Sequence, residues 1–206
     1  MKIKVCGMKM PGNIKAIAGL EPDYMGFIFY GKSPRYVGSL PANELAALPA
    51  SIVKTGVFVN EDLETVKQLI NQYQLAAVQL HGGESPEYCA ELREQVTVLK
   101  AFGVDETFDF EVLKDYANSV DYFLFDTKTA AHGGSGQVFD WQVLDRYNLE
   151  VPFFLSGGLS AENLPEVKQL KHPAFYGVDL NSRFEIEPGL KDEEKLRSAF
   201  TLLRTN

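Results

Sequence analysis

Two cysteines, Cys6 and Cys89, are all the thiols in the chain, and the three histidines stand scattered at 81, 132 and 172. The cysteines lie far apart and form no CxxC. A disulfide framework or a zinc site is therefore not expected, and a reducing cytoplasm is the natural compartment. The histidines fit no metal-ligand spacing, so no metal is expected. No stretch approaches the roughly 20 apolar residues of a membrane helix. The opening MKIKVCGMK has a basic start but no apolar core of signal-peptide length. Low-complexity tracts and long charge runs are missing too. Lys and Arg number 20 against 28 Asp and Glu, a formal net charge of −8, which argues against a nucleic-acid surface. It does not argue against a local phosphate site, because backbone amides bind phosphate without any basic side chain.

What is present has the profile of an ordinary globular domain. Hydrophobic residues make up 45% of the 206 and charged residues 23%, with no linker, which predicts a single domain over 1–206. Short apolar runs recur at regular intervals: IKVC (3–6), YMGFIF (24–29), VKTGVFV (53–59), AAVQL (76–80), TVLKAF (97–102), DYFLFD (121–126), PFFLS (152–156) and FYGVDL (175–180). Most are apolar nearly throughout, as parallel strands buried on both faces are. Between them lie segments with helical spacing, among them NEDLETVKQLINQYQ, SPEYCAELREQ, FDFEVLKDYANS, FDWQVLDRY and SAENLPEVKQLK. Short helices are expected near 12–19 and 41–48, caps at Asp62, Ser85 and Ser160, and a closing helix in KDEEKLRSAFTLLRT. Strand then helix, eight times, allows a doubly wound sheet or a closed (βα)8 barrel. Eight even units without an unpaired edge favour the TIM barrel, with short loops at this length.

In such barrels chemistry sits on the loops after the strands. The segment SGGLSAEN places Gly157 and Gly158 after strand 7, where backbone can approach an anion and a following helix directs its amides at it. Asn181 and Ser182 after strand 8 add donors, and the Gly134–Ser135 flap lies beside them. Cys6 ends strand 1. A thiol is either a small buried hydrophobe or, after modest tuning, a base. Asp126 ends strand 6 behind an apolar run. It reads as a helix cap, a partner of Lys128, or a general acid, and the last role requires burial to lift its pKa to about 6 or more. Strands 1 and 6 are three steps apart around an eight-strand ring, so the two would face each other across a small substrate. Arg35 offers a planar fork for a carboxylate or a surface salt bridge. His81 reads as an acid or base, or as a hydrogen-bonded barrel-top histidine. Asp179 would orient Cys6 or a sugar hydroxyl.

The stretches KVCGMK, GFIFYGKSPRYV, TGVFVN, VQLHGGE, FLFDT, GGSGQVFDW, FLSGGLSAEN and GVDLNSRFEIEPGLKD span nearly the whole chain in order. Together they resemble the phosphoribosylanthranilate isomerases of tryptophan biosynthesis. The resemblance implies a cofactor-free Amadori rearrangement of N-(5-phosphoribosyl)anthranilate on a (βα)8 barrel. It implies Asp126 as the acid that protonates the furanose ring oxygen and Cys6 as the base that takes the C2 proton. Arg35 then binds the anthranilate carboxylate, and Gly157, Gly158, Asn181 and Ser182 match the phosphate end. One departure stands out. The family usually reads D-V-x-S-G after strand 8, whereas Arg183 stands here in place of a glycine that often has φ > 0, so the turn must be built differently.

Two rivals share the barrel, a histidine-pathway aldose–ketose isomerase and indole-glycerol phosphate synthase. The first is expected to carry an aspartate where Cys6 stands, the second a catalytic lysine on an early strand. A non-catalytic phosphate-binding barrel should lack the acid–base pair. A monomer is expected, with a homodimer as the alternative.

Overall fold

Each apolar run becomes a barrel strand because its side chains alternate between two dry surfaces. The computed structural model describes residues 1–38, 40–128 and 139–205. Strands β1 (Lys2–Val5), β2 (Tyr24–Ile28), β3 (Val53–Phe58), β4 (Ala77–Leu80), β5 (Thr97–Val104), β6 (Tyr122–Thr127), β7 (Phe153–Leu155) and β8 (Phe175–Leu180) pair in sequence order. The barrel closes where β1 runs parallel to β8, with Lys4 opposite Asp179 and Val5 opposite Leu180. Inside, Tyr24, Ala77, Leu99, Ala101, Leu124 and Phe154 form one apolar cluster. The alternate residues, such as Ile3, Val5, Val78, Phe123 and Phe153, join the larger core under the helices. The predicted strands and the barrel are observed.

The outer layer is less regular than expected. Helices α1 (Pro11–Ala18), α2 (Ala42–Ala46), α3 (Leu63–Tyr73), α4 (Pro86–Arg93), α5 (Leu164–Val167) and α6 (Glu193–Arg204) are present. Asp62 caps α3 by accepting from the Thr65 amide, and Ser85 caps α4 by accepting from that of Tyr88. The segments after β5 and β6, however, are 3-10 turns, Phe110–Tyr116 and Trp141–Arg146. Asp109 and Asp140 open them by accepting from amides only two residues on, a turn geometry that competes with a full helix in such short segments. Ser160 does not cap α5. A turn intervenes, and the Asn163 side chain folds back to accept from the Ser160 amide and donate to the Gly158 carbonyl. A small hairpin, β9 (Glu185–Glu187) with β10 (Leu190–Lys191), follows β8 and was not anticipated. No helix among the described residues is long and apolar enough to cross a membrane.

One buried ion pair fixes the loops after β3 and β4. Lys100, 1% exposed, donates to the carbonyls of Leu80, Gly82 and Ala101 and to Glu84 Oε2 at 3.2 Å. Glu84 Oε1 accepts from the Asn60 amide at 2.8 Å, and both its oxygens accept from the Gly82 amide. Lys100→Met should therefore cost about 3–5 kcal/mol, since it strands a buried carboxylate. The denaturation midpoint would register this, and a loss under about 1 kcal/mol would show that the pair is solvated.

Candidate active site

The strand ends deliver an acid, a thiol and their electrostatic partners to one mouth of the barrel. On β1 the alternation that turns Ile3 and Val5 outward turns Lys4 inward, and Cys6 follows two residues on. Cys6 is 3% exposed, and its amide donates to the Leu180 carbonyl at 3.0 Å. Burial pushes the thiol up from its ordinary range, against the pull of Lys4 and Lys191 beside it. Gly7 follows with φ +76, and the stem of Arg35 lies so close over it that a Cβ there would come within 2.7 Å of Cδ.

Asp126, near the end of β6, is raised to about 6 by burial and by the neighbouring Asp179, with the Thr127 amide and Lys4 opposing. That amide donates to Oδ1 at 2.8 Å. His81 Nε2 lies 3.5 Å from Oδ2, while His81 Nδ1 is 3.1 Å from Gln79 Nε2. Lys128 pairs instead with Asp105, so it is not the partner of Asp126. Asp179, on β8, is buried and 2.9 Å from Lys4 Nζ. The inner face thus holds Lys4, Cys6, Asp126 and Asp179 together, and His81 adjoins Asp126.

The Arg35 fork is engaged. Its Nε donates to both Glu185 oxygens at 3.0 Å and its Nη2 to Oε2 at 2.7 Å. Glu185, despite the opposing cost of burial, is held below the ordinary carboxylate range by Arg35 and Lys191. Lys191 Nζ donates to Glu185 Oε1 and to Asn181 Oδ1, each at 2.7 Å. The pair is therefore partly buried, with a carboxylate already on the Nε–Nη2 edge.

The phosphate end takes a different form from the one expected. Gly157 and Gly158 both have positive φ, +82 and +66. A Cβ on Gly157 would sit 2.3 Å from the Thr127 amide nitrogen and 2.7 Å from Asp126 Oδ1. Only glycine fits there. The helix behind them is four residues long and set back by a turn, so any anion site rests on the glycine amides rather than on a helix end. Asn181 directs its Oδ1 to Lys191, and Ser182 opens a 3-10 turn, Ser182–Phe184. That turn is how the chain accommodates Arg183: its φ is not positive, and it stands exposed, exerting a pull on Glu162. Gly134 and Ser135 lie outside the described residues.

A family model for N-(5'-phosphoribosyl)anthranilate isomerase matches residues 3–201. The chain belongs to this isomerase family. An N-(5'-phosphoribosyl)anthranilate isomerase from Parabacteroides distasonis is 47% identical over 201 residues, 96% of this chain and 91% of that protein. Among solved structures, the phosphoribosyl anthranilate isomerase of Thermotoga maritima superposes with a TM-score of 0.88 at 34% identity, covering 99% of this chain and 98% of that one. Another phosphoribosyl anthranilate isomerase, in complex with reduced 1-(o-carboxyphenylamino)-1-deoxyribulose 5-phosphate, has a TM-score of 0.84 at 31% identity, with 99% and 98% covered. Lys4, Glu185 and Lys191 were not singled out in the sequence. A lysine inside an otherwise apolar strand was the available signal for Lys4. Glu185 and Lys191 are brought in only by the hairpin, which no periodicity announces.

Proposed function

We propose that this chain converts N-(5-phosphoribosyl)anthranilate to 1-(2-carboxyphenylamino)-1-deoxyribulose 5-phosphate, with Asp126 as general acid and Cys6 as general base. The observation that carries this is a carboxyl whose pKa is raised to about 6 by burial, on the same barrel mouth as a buried thiol beside two ammonium groups. Asp126 donates its proton to the furanose ring oxygen as the C1–O bond breaks, leaving a protonated Schiff base. Cys6, as thiolate, removes the C2 proton, and the electron pair neutralises the iminium to give the enolamine. Moving one proton from O2 to C1 completes the ketone. Each step uses proton transfer between positioned groups, worth roughly 10²- to 10⁴-fold apiece.

The amides of Gly157 and Gly158 hold the phosphate, with Asn181 and Ser182 at the rim. His81 and Asp179 border the ribose. Arg35 takes the anthranilate carboxylate on the guanidinium edge that Glu185 leaves open. Arg35→Ala should weaken binding of the reduced product analogue by on the order of tenfold to a hundredfold, as loss of a charge-assisted hydrogen bond does. Titration calorimetry would show it, and undiminished affinity would remove Arg35 from the carboxylate site. The reaction belongs in the cytoplasm, where Cys6 stays reduced. The direct test is loss of anthranilate fluorescence on adding purified protein to freshly made phosphoribosylanthranilate. A signal that decays no faster than the spontaneous background would refute the assignment.

A further inference from the structure

Of the three fully buried lysines among the described residues, Lys4 and Lys100 lie on barrel strands, and their surroundings differ. Lys100 is saturated, with four acceptors around its ammonium. Lys4 is not. Its side chain is 0% exposed, and its Nζ lies 2.9 Å from Asp179 Oδ1 without the angles of a hydrogen bond. Both atoms are buried, and neither makes an aligned hydrogen bond. A buried ammonium kept for structure alone is normally saturated, because each idle N–H costs free energy. An under-bonded one beside reacting groups points to work done during the reaction.

The reaction itself supplies that work. In the reactive form, Asp126 holds a proton and Cys6 is a thiolate. Once Asp126 has protonated the ring oxygen and Cys6 has taken the C2 proton, Asp126 is a carboxylate and Cys6 a thiol. One negative charge has crossed from β1 to β6. To restart, the thiol releases its proton to water and the carboxylate takes one up. In the low-dielectric interior each position of that charge needs a cation within reach. Lys4 acts on both ends: it favours the thiolate of Cys6, two residues along its own strand, and, against burial and the opposing field of Asp179, the carboxylate of Asp126.

We propose that Lys4, anchored by Asp179, is a positioning residue whose ammonium serves as the shared counter-cation for the Cys6 thiolate and the Asp126 carboxylate. This rests on the acid–base assignment made above. The site then keeps a constant net charge while the negative charge moves.

Among the described residues, these charged and titratable groups face the cluster. Lys4 faces Asp179 from β8, Cys6 from β1 and Asp126 from β6. Its register partner on β2, Tyr24, is engaged with Tyr122 and Tyr176. Cys6 also feels Lys191 from β10, which is held by Glu185 of β9 and sits near Arg35. Asp126 has His81 beside it.

The test is Lys4→Met in a Cys89→Ala background, so that Cys6 is the sole thiol. Two readouts are needed. The first is the rate of Cys6 alkylation by iodoacetamide at a fixed, mildly alkaline pH, which follows the thiolate fraction. It should fall at least tenfold, as loss of a cation within about 4–6 Å predicts. The second is the pH profile of kcat/KM, both limbs of which should move to higher pH by about one unit or more. A folding defect would lower the amplitude without moving either limb. Unchanged alkylation, or limbs that stay in place, would overturn the proposal. If the unpaired Asp179 prevents folding, K4M combined with Asp179→Asn removes both charges. Alkylation should still slow there, because the cation that shares a strand face with Cys6, two residues away, is gone, and an unaltered rate would equally overturn it. Alkylation reports on Lys4 whether or not the protein isomerises phosphoribosylanthranilate, so failure of this proposal and failure of the assigned reaction are separately visible.

Discussion

Replacing Asp126 with Asn should give a protein that barely turns over and yet is more stable than the wild type at neutral pH. The kinetic half follows from the proton. An amide keeps the Oδ1 that accepts from the Thr127 amide at 2.8 Å but has nothing to deliver to the ring oxygen, so kcat should fall on the order of a thousandfold. The thermodynamic half follows from burial. Folding raises this carboxyl to about 6 from an ordinary 3.8, through loss of water and then through Asp179. Below pH 4 folded and unfolded chains both hold the proton, and the shift contributes nothing. Between those values the unfolded chain gives up its proton first, so stability falls as pH rises. Above pH 6 the cost has grown to about 3 kcal/mol. Asn does not ionise and avoids that cost. Urea melts at pH 4 and pH 8 should show wild type and variant converging at the lower pH and separating, variant higher, at the upper one. A variant less stable than wild type at pH 8 would mean that Asp126 is held as a paired carboxylate rather than as an acid in reserve. The pH–rate profile gives an independent check. Acid and thiol titrate as a pair carrying one proton between them, so the acidic limb of kcat/KM should lie near pH 6 in the wild type and be missing from the variant.

The barrel was legible because short apolar runs bounded by turn residues, as strands buried on both faces show, recur eight times with helical spacing between them. The elements that were misread are those in which local side chains compete with the backbone. Asp109 and Asp140 draw their segments into 3-10 turns, and Asn163 rather than Ser160 closes the turn before α5. Spacing of apolar residues is nearly the same in a one-turn helix and in such turns, so periodicity alone does not separate them.

Asp126 and Cys6 could be singled out because each ends a strand, and strand ends converge on one rim. Their tuning could not be found. Lys4 lies in the middle of IKVC and reads as an ordinary charged interruption until closure of the barrel sets it opposite Asp179. Glu185 and Lys191 reach Arg35 and Asn181 only through the β9–β10 hairpin. The Arg183 departure, by contrast, was visible in the sequence, and a 3-10 turn answers it by removing the need for positive φ.

Replacing Cys6 with Ser is the sharper test of the base, since size and position hardly change. A Cβ built on Gly26 would come within 2.7 Å of Cys6 Sγ, so the thiol sits in a close-fitting niche that the smaller hydroxyl can occupy without strain. What changes is acidity. A thiol ordinarily ionises near 9.0, and although burial pushes Cys6 higher, Lys4 and Lys191 draw it back. A serine hydroxyl has no comparable thiolate to offer near neutral pH, and two nearby ammonium groups do not close that gap. The expected result is a fall in kcat of about 10³- to 10⁴-fold while the variant still binds the reduced product analogue as the wild type does. The basic limb of the pH profile should vanish with the thiol that produces it. Turnover within about tenfold of the wild type would transfer the base to another group, and His81 or Asp179, on the same mouth, would be the next residues to replace. If instead turnover is lost together with analogue binding, Cys6 is holding the mouth in shape and the assignment of the C2 proton to its sulfur fails.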